Sequence, residues 1–129
     1  MRITLWVAAG SALGGVSRYG LDGVMELAGG VAFPWGTLLV NALGSLLIGI
    51  VAAWSAADPG ERTLPGHWRQ FAVNGFCGGF TTFSIFSLET LALLERAPAL
   101  AGANVLVTTV LCLGAVAIGY AVTLHRLGG

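Results

Sequence analysis

Two sets of side chains and one unusual stretch in this 129-residue chain have the types and spacing to handle a small ion. Thr37, Asn41 and Ser45 are spaced i, i+4, i+8, as are Asn104, Thr108 and Cys112, so on helices each set forms one polar stripe. The Asn41 amide can donate two hydrogen bonds, either to an anion or to a facing helix. Between the stripes, residues 75–87 read Gly-Phe-Cys-Gly-Gly-Phe-Thr-Thr-Phe-Ser-Ile-Phe-Ser. Gly75, Gly78 and Gly79 each weaken a helix by roughly 1 kcal/mol relative to alanine, while apolar sequence continues on both sides. This pattern predicts a helix broken near 75–82. Unwound carbonyls bind cations, and half-helix N-termini attract anions. Phe83 and Phe86, at i, i+3, share a face just after the break, with Thr90 continuing it. A glycine kink that lets a neighbouring helix pack closely accounts for the glycines alone, but not for the Thr-Thr-Phe-Ser run that follows them.

The elements that hold these residues are membrane helices. Charged residues make up 9% of the chain and mean hydropathy is +0.84, whereas soluble domains carry about a quarter charged residues. Net charge is zero and lysine is absent, which argues against a nucleic-acid partner. At about 20 apolar residues per span, the length admits four helices and no soluble domain. We read an all-α membrane protein forming a single transmembrane domain over 1–129, with helices at about 3–27, 36–56, 67–95 and 99–124. A straight helix over 67–96 would run about 45 Å against a hydrocarbon core of about 30 Å, and its midpoint near residue 82 puts the break at the bilayer midplane. Met1-Arg2 and the apolar run after it resemble the start of a signal peptide, but the run continues past Arg18 and three more spans follow, so it is read as the first helix.

Within that helix, Gly10 and Gly14 form a small-xxx-small pair suited to close helix contact. Arg18 either anchors at the interface, paired with Asp22 at i+4, or lines an aqueous vestibule. The polar loop 58–69 holds Asp58, Pro59, Glu61, Arg62, Pro65, His67 and Arg69 without a catalytic grouping, and no enzyme activity is expected. Glu89 is the membrane-embedded carboxylate that a proton-coupled mechanism would need. Cys77 and Cys112 lack metal-ligand spacing and are read as buried free thiols. Arg2, Arg62, Arg69 and Arg126 face one side of the membrane, against Arg96 and an outward-reaching Arg18 on the other. This weak bias permits insertion both ways round. So small a bundle cannot easily enclose both a pathway and its walls, which calls for a second copy.

At Gly36-Thr37-Leu38-Leu39-Val40-Asn41 and at Gly75-Phe76-Cys77-Gly78-Gly79-Phe80-Thr81-Thr82-Phe83-Ser84-Ile85-Phe86-Ser87, the chain resembles the Fluc (CrcB-type) fluoride channels. Gly14-Gly15-Val16-Ser17-Arg18-Tyr19 is similar to that family's first-helix motif. The resemblance implies passive, fluoride-selective export through an antiparallel dual-topology homodimer in the cell inner membrane, with two pores and a central structural sodium ion. It implies that the backbone carbonyls of Gly78 and Thr81 hold the sodium and that the ring edges of Phe83 and Phe86 line the fluoride path. Asn41 is then the pore amide, joined by the neighbouring hydroxyls Thr37, Ser84 and Ser87; Asn104, Thr108 and Cys112 form the polar track, and Arg18 belongs to the vestibule. Ile85 stands where members commonly have threonine, and Cys112 where serine is more usual. A small proton-coupled multidrug-type transporter is the alternative. It needs a carboxylate in the first helix, where this chain offers Asp22 and Glu26 only near the end.

Overall fold

The computed structural model describes residues 2–27, 32–56 and 65–128. Of the predicted polar loop, Asp58, Pro59, Glu61 and Arg62 lie outside the described residues, as does the side chain of Glu26. The described residues form helices joined by short connections and contain no strand. Helix α1 is Arg2–Leu27 and α2 is Trp35–Ala56. The next segment, α3 at 66–80, begins with the α-helical turn Gly66–Arg69, continues π-helical over Gln70–Cys77, and ends with Gly78–Phe80. After two extended residues come α4, Phe83–Arg96, and α5, Pro98–Gly128. Trp35–Ala56, Gly66–Arg96 and Pro98–Gly128 are long and apolar enough to cross a membrane. Helix α1 is long enough at 26 residues, but its glycines, serines and Arg18 dilute its apolar character.

Short-range signals explain where the helices start and stop. Pro34 precedes α2 and accepts the Leu38 N–H at 3.1 Å, and Pro98 opens α5, where its missing N–H costs nothing. Thr82 caps α4 by accepting the Ile85 N–H on its hydroxyl at 3.2 Å.

The helices pack as two close pairs, α1 on α3 and α2 on α5, bridged by α4 on α5. Apolar burial drives helix association weakly in lipid, so small residues set these contacts. A Cβ on Gly10 would meet the Phe76 N–H nitrogen at 2.8 Å and Gly75 Cα at 2.9 Å, and one on Gly79 would collide with the Ser11 backbone. The second pair repeats the device, with Gly49 against the Val116 carbonyl and Gly119 against that of Leu46. The predicted small-residue contact of Gly10 and Gly14 therefore falls on α3.

The expectation that the glycines unwind the chain is corrected in one respect. Gly75, Gly78 and Gly79 are all helical, and helical geometry stops later, at Thr81 (φ −74°, ψ 156°) and Thr82 (φ −146°, ψ 123°). The physical reason is that Gly75 and Gly79 are needed for backbone contact with α1, which holds their helix in place despite its poor intrinsic propensity. Trp6 of α1 lies 5.1 Å from both His67 and Trp68, ring centroid to centroid, so the start of α1 and the start of α3 share one end of the molecule.

Candidate functional site: a cleft at the Thr81–Thr82 interruption

Two extended residues inside a helical segment leave backbone groups without helical partners, and in lipid these must be satisfied within the protein. Asn41 of α2 does this for Thr82. Its Nδ2 donates to the Thr82 carbonyl at 3.0 Å, and the Thr82 N–H donates back to its Oδ1 at 2.8 Å. One amide hydrogen of Asn41 is committed by this clamp and the other remains. Thr81 is anchored from below, its N–H and its hydroxyl both donating to the Cys77 carbonyl, at 2.9 and 2.8 Å.

The interruption costs the carbonyls at the end of α3 their helical donors, and among them are the two that the resemblance singles out, Gly78 and Thr81. In a continuous helix the Thr82 N–H would serve Gly78 and the Ile85 N–H would serve Thr81. Here the first goes to Asn41 and the second to the Thr82 hydroxyl. Gly78 and Thr81 thus each lose their helical donor, and Gly78 is exposed. Neutral, oxygen-only and close in sequence, this pair has the donor chemistry for a hard cation, though two oxygens are fewer than such an ion takes.

A cleft of about 310 Å³ opens at the interruption, between α2, α4 and α5. Asn41, Phe83, Phe86, Thr108 and Cys112 line it, together with Thr81, Thr82 and Ser45. The Phe83 and Phe86 rings lie 5.9 Å apart and tilted by 42°. Phe83 is 80% exposed, so its ring stands at the rim with one side uncovered. Behind the cleft runs a chain of hydrogen bonds. Thr108 donates to Asn104 Oδ1 at 3.3 Å, Asn104 Nδ2 donates to the Thr90 hydroxyl at 2.8 Å, and Thr90 donates to the Phe86 carbonyl at 2.7 Å. Asn104 is 1% exposed. It holds the α4 and α5 faces in register and keeps a second amide hydrogen.

Other predicted residues lie elsewhere. Thr37 lines a separate, larger cleft of about 670 Å³ and donates to Glu89 Oε1 at 3.0 Å. Arg96 and Asp22 also line it, while half-buried Arg18 lines neither cleft. Ser84 and Ser87 are exposed and outside both; Ser87 donates to the Phe83 carbonyl at 2.8 Å. Cys77 is buried and Cys112 half-buried, both as free thiols. Sequence reasoning passes over Thr82, whose hydroxyl caps α4 and whose peptide receives Asn41, and over the link from Thr90 to Asn104. A threonine immediately before an apolar helical run is a recognisable cap signal; the Asn104 partnership, across a helix pair, has none.

Comparison with known proteins gives one consistent answer. Residues 5–120 match the family described as CrcB-like protein, Camphor Resistance (CrcB). A protein of Rhodospirillum rubrum named Fluoride-specific ion channel FluC is 50% identical over 117 residues, 90% of each chain. One of Paramagnetospirillum magneticum with the same name is 49% identical over 115 residues, 88% of this chain and 89% of its own. A third, from Opitutus terrae, is 46% identical over 132 residues, 100% of this chain and 99% of its own.

Proposed function

The chain belongs to the CrcB-like family, and from that premise we propose that it is a fluoride channel that lets fluoride leave the cytoplasm passively, an integral membrane protein and not an enzyme. The observation that carries this reading, beside the relatives' shared name, is the cleft at the helix interruption, where phenyl rings, an amide and hydroxyls converge without a basic side chain among them.

Fluoride is small and strongly hydrated, so a dry path must replace its water with donors. The remaining Asn41 amide hydrogen and the positive ring edges of Phe83 and Phe86 supply them at the interruption, and the Asn104–Thr108–Cys112 stripe continues the track along α5. Ser84 and Ser87 are assigned no place in this path, since they lie outside the cleft. Thr37, paired with Glu89, belongs to the separate, wider cleft and is assigned no place at the interruption. The vestibule role of Arg18 has only its half-buried place on α1 in its favour.

The working unit is an antiparallel, dual-topology homodimer with four spans per copy, each third span interrupted near the bilayer midplane. Thr81 lies midway along Gly66–Arg96, which supports that depth. Inversion brings the freed Gly78 and Thr81 carbonyls of two copies together as four oxygens, a set suited to a structural sodium ion. The ion offsets the cost of burying unpaired carbonyls and adds positive potential near the anion path. The cell inner membrane is its location.

The multidrug-type alternative needs a carboxylate in the first helix, where Asp22 and Glu26 lie only near its end, and of the half-buried Glu89 carboxylate Thr37 engages one oxygen, Oε1. Growth of a fluoride-sensitive bacterium separates the two readings. Expression of the chain is expected to restore growth in fluoride, and Glu89→Gln tests the transporter: export of cationic drugs that Glu89→Gln abolishes, without fluoride resistance from the wild type, would overturn the channel reading.

A further inference from the structure

Two pairs of exposed small or polar positions flank Thr81, the midpoint of Gly66–Arg96, at nearly equal spacing. Asn74 lies seven residues before Thr81 and Ser87 six after; Gly78 lies three before and Ser84 three after. All four are exposed. At 1.5 Å per residue, Asn74 and Ser87 sit about 10 Å from the midplane on opposite sides, inside a hydrocarbon half-thickness of about 15 Å.

The hydrogen bonds inside the chain leave both groups with unused capacity of opposite kind. Asn74 Nδ2 donates one hydrogen to Gln70 Oε1, leaving a second hydrogen. Ser87 spends its only hydrogen on the Phe83 carbonyl, leaving lone pairs to accept. An amide exposed to lipid at this depth is costly, and interhelical hydrogen bonding is the usual remedy. Around Gly78 there is room for an approach, because a Cβ there would meet nothing nearer than the Val73 carbonyl at 3.8 Å.

We infer that Asn74 of one copy donates to the Ser87 hydroxyl of a second, inverted copy, and that the reciprocal bond forms on the other side of the two-fold axis. Inversion about Thr81 brings position 74 level with 88, one residue from Ser87. A parallel pairing would instead set Asn74 beside Asn74. The contact pins the register in which the Gly78 and Thr81 carbonyls face their counterparts. It also ties each copy's π-helical segment to the other copy's α4, next to the uncovered ring of Phe83. This inference rests on the inverted-dimer reading above and specifies the residues that lock it.

Disulfide cross-linking of the full chain in liposomes tests it, since a bridge requires Cα atoms within about 7 Å. The double variant Asn74→Cys, Ser87→Cys is expected to give a covalent dimer on copper-phenanthroline oxidation, about 10-fold above either single variant, whose native Cys77 and Cys112 set the background. Single variants carrying different tags, expressed together, are expected to give the mixed dimer. Cross-linking by Asn74→Cys alone would overturn the inverted contact. So would a double variant that stays at background while single-molecule photobleaching in the same liposomes still shows a dimer.

Should the cysteine variants fail to fold, Asn74→Ala and Ser87→Ala supply the second measurement. Each is expected to weaken dimerisation in bilayers by about 10-fold, with the double variant no weaker than either single, because the same two reciprocal bonds are lost in all three. Additive losses would overturn the contact. Passive fluoride release by the unmodified chain reports separately on the channel reading, so release without the 74–87 cross-link sinks the contact alone.

Discussion

At the scale of residues, Asn41 does two things that a polar side chain in a membrane seldom combines. It closes both hydrogen bonds of the Thr82 peptide and retains one hydrogen for the cleft. Asn41→Ala therefore leaves a partly buried N–H and C=O unpaired, at about 1–3 kcal/mol each. It is expected to destabilise the protein by about 2–4 kcal/mol in denaturant unfolding in detergent and to abolish fluoride passage. Asn41→Asp keeps an acceptor for the Thr82 N–H but no donor for its carbonyl, so its stability should fall between the two; stability unchanged in Asn41→Ala would contradict the clamp. The polar stripe containing Asn41 is legible from spacing, as are the two phenylalanines. The partner of Asn41 is not, because it is backbone 41 residues away and any residue at 82 would present the same atoms.

At the scale of elements, the apolar runs and the prolines at 34 and 98 mark the helices in the sequence itself. The glycines are harder to place. Low propensity reads the same whether a glycine ends a helix or admits a neighbour, and only the contact with α1 separates the cases. Gly75 and Gly79 admit α1, whereas the turn from helix to extended chain belongs to Thr81 and Thr82. Gly10→Val should consequently be among the most disruptive single changes in the chain, since its branched side chain would enter the backbone of 71–76. Loss of the monodisperse peak in size-exclusion chromatography is the expected outcome. Gly15→Val, whose Cβ would meet nothing within 4 Å, should leave that peak intact. Equal behaviour of the two would refute the glycine-mediated packing of α1 on α3.

At the scale of the whole molecule, much of the apolar surface faces outward. Val105, Leu106, Val110 and Leu113 on α5 are exposed, as are Leu88 and Leu91 on α4. Lipid satisfies such surface without specificity; the freed carbonyl of Gly78 it does not. Gly78→Val tests what covers that face. Within one copy the added atoms have room, so helix content by circular dichroism should be unchanged while the dimer fraction in bilayers falls by about 10-fold or more. An unchanged dimer fraction would mean that Gly78 lies outside the contact between copies. The expectation of a second copy is legible from length, because so small a bundle cannot easily enclose both a path and its walls. The face it covers is not, since an exposed apolar residue reads identically toward lipid and toward protein.

We propose a selective, passive fluoride path through the cleft at the Thr81–Thr82 interruption. Its most direct test is fluoride release from liposomes holding the purified protein in sodium, followed with a fluoride electrode, with no proton gradient and with a chloride-loaded control. Rapid fluoride release with chloride retained, lost in Phe83→Ala and in Asn41→Ala, is the predicted result. No release from folded protein, release only when a proton gradient is imposed, or equal release of chloride would contradict it.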